Sequence, residues 1–95
     1  MNSILQFEKK CWFCDSPYVE EHHIYFGKNR KISEQNGFKV WLCNFHHTGS
    51  ISGNSKEAVH FNKKKDLELK KYCQGKFEET HTREEFMRLI GENFL

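Results

Sequence analysis

Four cysteines and six histidines stand in a chain of 95 residues, and three of the cysteines and five of the histidines fall before position 61. Cys11 and Cys14 form C-x2-C, and Cys43 with His46 forms C-x2-H. These are the two halves of a tetrahedral zinc site, in which two knuckles held apart in sequence meet in space. Binding free energy at such a site adds directly to folding. His47, adjacent to His46, can exchange roles with it as the fourth ligand. Besides these, His22, His23 and His60 remain, and one structural ion cannot use them all. The surplus points to a second site, because a histidine with its ordinary pKa of about 6.5 supplies neutral imidazole as a ligand or a proton acceptor. Cys73 lies apart, on a helix-like segment, and reads as a small buried hydrophobe.

Short elements must position these residues. Residues 4–10 read as one helical turn leading into the first knuckle, and 11–17 (CWFCDSP) as a tight turn between two ligands. Residues 18–26 (YVEEHHIYF) are rich in β-branched and aromatic types and read as a strand. The polar, basic stretch 27–37 reads as a loop, and 38–42 (FKVWL) as a second strand, which makes a hairpin pinned at its base by the zinc. Strict alternation along a strand sends the neighbours His22 and His23 to opposite faces. Both enter one site only where the strand bends or ends, as the loop starting at Gly27 permits. Residues 48–55 (TGSISGNS) form a Gly/Ser/Asn loop. A helix is expected over 62–79, with Leu69, Tyr72, Cys73 and Phe77 as its apolar stripe. Thr82 and Glu85 then form a capping box, Phe86, Leu89 and Ile90 follow at helical spacing, and Gly91 can end that helix in a left-handed conformation. The fold class expected is α+β: one small zinc-stabilised domain over 1–95, with a motif core at 11–61 and a helical part at 62–95.

Composition bounds the partners. At 11.4 kDa with 37% hydrophobic residues, the core alone would leave the domain near the stability threshold, where a metal often helps. This excludes a multidomain enzyme and a large barrel or Rossmann fold. No apolar run approaches the ~20 residues of a membrane span. The first residues lack a basic start followed by an apolar stretch, and an even cysteine count without such a leader does not favour disulfides. A reduced, cytoplasmic setting is expected. The formal charge is only +2, but residues 1–65 carry ten Lys/Arg against six Asp/Glu, while 66–95 carry five against seven. Lys28, Arg30 and Lys31, and separately Lys63, Lys64 and Lys65, flank the histidine-rich stretch, a placement suited to a polyanionic backbone. Trp12, Phe13, Trp41 and Phe45 are expected to form a small core around the zinc. Glu20 and Glu21 can each orient a ring nitrogen.

The order C-x2-C, strand with E-H-H-I, basic loop, strand ending W-L-C, then C-x-x-H-H and a downstream V-H resembles the HNH nuclease family. Within that family it looks most like the phage-borne, RecA-dependent recombination nucleases. The resemblance covers roughly residues 11–61 by motif and implies a ββα-metal finger that hydrolyses DNA phosphodiesters. It implies that His23 is the general base, and that His22, His47 and His60 hold or complete a catalytic Mg²⁺ or Mn²⁺ site beside the structural Zn²⁺ of Cys11, Cys14, Cys43 and His46. The roles of His22 and His23 can be exchanged. It further implies DNA contacts from Lys28, Arg30 and Lys31, a recombinase filament as partner, action as a monomer or homodimer, and, for a phage-encoded chain, the host cytoplasm. The pattern departs from the family at its central Asn, whose place is taken here by Phe38, with Asn36 and Asn44 only nearby. A non-catalytic, zinc-stabilised nucleic-acid-binding or regulatory module on a degenerate HNH fold is the alternative.

Overall fold

A computed structural model describes residues 1–51 and 56–95; the end of the expected Gly/Ser/Asn loop, 52–55, lies outside the described residues. The chain is α+β, with one two-stranded antiparallel sheet and helices around it. Strand β1 is Glu20–His23 and strand β2 is Lys39–Leu42. Their register sets Glu20 opposite Leu42, Glu21 opposite Trp41, His22 opposite Val40 and His23 opposite Lys39. Both strands are shorter than their β-prone sequences suggest. Ile24 and Tyr25 instead turn into the core, where Ile24 N–H donates to the Phe38 carbonyl at 2.9 Å.

The expected loop between the strands is ordered as a 3-10 turn, Gly27–Asn29, followed by helix α1, Arg30–Asn36. The residues of α1 are mostly good or tolerable helix formers, but a single apolar residue, Ile32, leaves no periodic stripe for sequence reading to detect. The Ser33 hydroxyl, fully buried, donates to the Tyr25 carbonyl at 2.6 Å and accepts from the Tyr25 N–H at 3.2 Å. Gly37 ends α1 at φ +72°. A Cβ there would lie 2.3 Å from the Asn2 carbonyl oxygen, so the position needs glycine twice over.

The N-terminal residues form no helical turn. They run beside β2 instead: Ile4 N–H donates to the Gly37 carbonyl at 3.0 Å, the Gln6 side chain accepts from Trp41 N–H at 2.7 Å, and the Ser3 hydroxyl donates to the Lys39 carbonyl. After β2 comes a single helical turn, α2, Asn44–His47. A second 3-10 turn, Val59–Phe61, carries His60 into the long helix α3, Lys63–Phe77. The Asn62 side chain caps α3 by accepting from Lys65 N–H at 3.0 Å. Leu69, Cys73, Gln74 and Phe77 form its buried face, whereas Tyr72, expected in the stripe, is exposed and packs edge-on to Trp12 at 5.3 Å. Helix α4, Arg83–Ile90, starts on the Thr82–Glu85 capping box and stops at Gly91, φ +87°, both as expected.

The core is aromatic. Tyr25 meets Phe38 at 5.5 Å and Phe86 at 5.4 Å, Phe38 meets Phe77 at 5.3 Å, and these contacts are edge-on, an orientation that ring quadrupoles favour. The Tyr25 hydroxyl donates to the Lys70 carbonyl at 2.7 Å, so burying this ring leaves no unpaired donor. Trp12, Phe13 and Phe45 pack half-buried against the edge of this core. No described helix is long and apolar enough to cross a membrane.

Candidate metal centres

The two knuckles meet. Ligand atoms of Cys11, Cys14, Cys43 and His46 all lie within 4.8 Å of one another. Cys14 Sγ is 3.6 Å from Cys43 Sγ, Cys11 Sγ is 3.6 Å from His46 Nδ1, and Cys43 Sγ is 3.2 Å from His46 Nδ1. A tetrahedral zinc with bonds of about 2.0–2.3 Å requires ligand-to-ligand edges of roughly 3.3–3.8 Å, so the donor set and its spacing fit that ion. The first knuckle closes through Asp15, which donates its N–H to the Cys11 carbonyl at 2.9 Å and sits in the left-handed region at φ 62°. The second closes as the first turn of α2, where the N–H groups of His46 and His47 both donate to the Cys43 carbonyl, at 3.0 and 2.9 Å. Trp12 N–H ties the knuckles to the sheet by donating to the Trp41 carbonyl at 2.9 Å.

Next to this centre stands a second one made only of imidazoles. His22 from β1, His47 from α2 and His60 from the 3-10 turn before α3 bring one ring nitrogen each within 4.8 Å of the others. The ring centroids are 5.2 Å apart for His22–His47, 5.3 Å for His22–His60 and 4.8 Å for His47–His60. His46 and His47 therefore divide between the two centres, because neighbours on one helical turn point about 100° apart. Their sequence ambiguity resolves here: His46 faces the thiols and His47 faces the imidazoles.

The electrostatics of the three-histidine cluster suit a cation. His22 is 2% exposed, and its Nε2 is buried with no hydrogen-bond partner. A buried polar atom without a partner costs free energy, which an ion at this nitrogen would remove. Burial first, then the neighbouring charges of His47 and His60, bring the His22 pKa down to about 3, and burial also lowers that of His60. Both rings are thus neutral near pH 7, as ligands must be. Glu20 Oε1 lies 2.7 Å from His47 Nδ1, while Asn44 Nδ2 donates to Glu20 Oε2 at 3.2 Å. The carboxylate keeps the proton on Nδ1 and leaves Nε2 free to ligate; the same hydrogen bond lowers the Glu20 pKa. Of the two acids expected to orient a ring nitrogen, Glu20 serves this cluster.

His23 does not join it. Alternation along β1 puts His23 on the opposite face, where its Nε2 lies 2.8 Å from Glu34 Oε1 and 3.5 Å from Glu21 Oε1. Lys39 Nζ bridges the same two acids, at 2.8 Å from Glu34 and 3.3 Å from Glu21, and the Met1 amine is 3.1 Å from Glu34. The general base expected from motif order is therefore held in an ionic mesh on the far side of the strand from His22, His47 and His60. The strand does bend, but only after His23, too late to bring both rings to one side.

Lys28, Arg30 and Lys31 are exposed on the 3-10 turn and first residues of α1. Of the second basic run, Lys63 and Lys64 are exposed, while Lys65 is drawn inward to Glu57 at 2.9 Å and over the Phe13 ring at 4.7 Å. Two residues beside the imidazoles had no sequence signal. Phe26 lies 6.4 Å from His22 and 5.8 Å from His60, ring to ring, and Lys70 Nζ stands 4.5 Å from the Phe26 centroid. Lys70 reads in sequence as one of many solvated lysines on a polar helix. No protein-family model matches this chain, nor does any curated protein or solved structure.

Proposed function

We propose that this chain is a metal-dependent endonuclease of the HNH type, which hydrolyses DNA phosphodiester bonds. The observation that carries the reading is the second cluster: three imidazoles converge beside a four-ligand centre that already meets the folding requirement. A domain needing only a structural zinc has no use for a buried, unpartnered His22 Nε2. The hairpin β1–β2 followed by α2, with two Cys/His clusters beside it, supports reading this α+β chain as a ββα-metal finger. The basic residues from Lys28 to Lys31 supply positive charge on the strand-to-helix connection, where a phosphate backbone would pass.

In this reading His22, His47 and His60 bind the second cation, Glu20 holds the His47 proton at Nδ1, and Asn44 holds Glu20. An all-imidazole donor set suits an ion such as Zn²⁺ or Ni²⁺ better than Mg²⁺ or Mn²⁺, which prefer oxygen ligands. Bound there, such an ion supplies Lewis-acid stabilisation of charge developing on the phosphate. His23 acts on the fold, tying β1 to α1 through Glu34. The place of the family's Asn is taken by Phe38, fully buried in the aromatic core, so the support that Asn gives elsewhere must come here from packing. That departure favours the second reading, a zinc-stabilised nucleic-acid-binding module without chemistry.

Plasmid cleavage by zinc-loaded protein separates the two. With Mn²⁺, Zn²⁺ or Mg²⁺ added, alone or with a recombinase filament, the wild type is expected to nick or cut. His47→Ala should lose cleavage together with one exchangeable metal equivalent by elemental analysis, and His23→Ala should keep both at a temperature where it remains folded. Absence of cutting under every metal condition would refute the enzyme reading. Retention of cutting in His47→Ala would refute this site.

A further inference from the structure

Phe26 has a second side. It also lines a cleft of about 160 Å³ together with Lys28, Lys70, Glu92, Ile90 and Phe94, none of which belongs to the three-histidine cluster. Its two cations come from different elements: Lys28 from the 3-10 turn that follows Phe26, and Lys70 from the middle of α3. Lys70 is fixed rather than free. Its Nζ is 2.9 Å from Asp66 Oδ2, 4.5 Å from the Phe26 centroid and 5.7 Å from that of Phe94, and its side chain is only 18% exposed. Holding a lysine this far out of water costs desolvation and side-chain entropy. Asp66 offsets that cost with one oxygen only, because its Oδ1 is buried without a partner. The ammonium is also close enough to the imidazoles for its charge to act on His22.

The cleft is too small for a nucleobase with its sugar, and its chemistry suits an anion: two ammonium groups over an apolar floor, Lys70 held by Asp66, with Glu92 as the carboxylate in the lining itself. Phe26, 45% exposed, borders both the cleft and the three-histidine cluster. Resting on the nuclease reading for the identity of the polyanion, we propose that this cleft receives a backbone phosphate neighbouring the one at the histidines. Lys28 and Lys70 are its cations, and Asp66 is the positioning residue for Lys70. The strand would cross the face of Phe26 between the two phosphates.

The test measures binding rather than cutting. The affinity of the zinc-loaded full chain for a fluorescent oligothymidylate is followed by anisotropy as a function of salt. Each single-strand phosphate contact contributes about 0.7 to the slope of log K against log salt. Lys28→Gln and Lys70→Gln should each lower the slope by about that amount and weaken binding several-fold. Lys70→Arg should restore the slope, and Asp66→Asn should weaken binding without lowering it. Glu92→Gln should tighten binding, and the exposed Lys71→Gln, outside the cleft, should change nothing. Melting curves confirm that each variant is folded. Unchanged slopes in both Lys28→Gln and Lys70→Gln would overturn the cleft, whatever the nuclease does. A wild type that binds with the full slope but cuts nothing would overturn the nuclease reading and leave the cleft standing. A wild type that binds no oligothymidylate but cuts plasmid would overturn the cleft and leave the nuclease reading standing.

Discussion

Glu34 is where three nitrogen groups converge: the Lys39 ammonium, the His23 ring and the Met1 amine. The hydrogen bond from Lys39, then those from His23 and the N-terminus, hold its carboxyl far below the usual carboxylate range. A carboxylate whose folded pKa is depressed stabilises the fold above its unfolded value of about 4.3 and loses that contribution as pH falls below it. The wild-type melting temperature should therefore drop as pH falls from about 4.5, and Glu34→Gln should melt lower at pH 7 and show a shallower acid limb. Equal acid limbs in the two proteins would show that Glu34 carries no such linkage. The sequence made part of this residue-level picture legible. Alternation along a strand separates His22 from His23, and the structure honours it; motif order alone had joined them. Glu34 was invisible, because nothing in a polar stretch between two strands says that its fourth acid-or-base position will face back onto β1.

Elements with their own punctuation were readable, and the one without it was not. Helix α4 carries a capping box and a terminal glycine, and its ends fall where those residues place them. Helix α3 was legible through Leu69, Cys73 and Phe77, although Tyr72 turned out to lie on the exposed side. Helix α1 has one apolar residue and no side-chain cap, so its sequence resembles a loop; its stability comes from tertiary contacts such as the buried Ser33 hydroxyl on Tyr25. Gly37 was its only local signal. Gly37→Ala should destabilise by about 1–3 kcal/mol from the left-handed φ alone, with a further loss as the added Cβ displaces the Asn2 carbonyl. Urea unfolding should show a lower midpoint, and an unchanged midpoint would mean that neither the φ nor the close approach of Asn2 matters.

For the molecule as a whole, the four-ligand cluster joins segments that the aromatic core does not. The core of Tyr25, Phe38, Phe77 and Phe86 links the strand ends to α3 and α4, while Cys11, Cys14, Cys43 and His46 bind the N-terminal knuckle to the end of β2. Zinc in a small folded module contributes about 10–16 kcal/mol of apparent binding free energy, against the 5–15 kcal/mol by which whole domains are stable. A strong chelator should accordingly abolish the cooperative melting transition, and readded zinc should restore it. A chelated, zinc-free chain with unchanged melting would remove the metal from the folding account. At this scale the sequence spoke plainly, since ligand types and spacing are local facts. The aromatic packing that joins residues 25 and 38 to residues 77 and 86 is not local, and no pattern in the chain announced it.

His46 and His47 sit side by side on one turn and face different centres, so the two clusters are mechanically joined through α2. The turn that aims His47 at its partners also carries His46 to the thiols, so a shift of that turn on one side is felt on the other. Loss of metal from the thiolate side would then disturb the imidazole side as well as the fold, so one ion bears on two clusters at once.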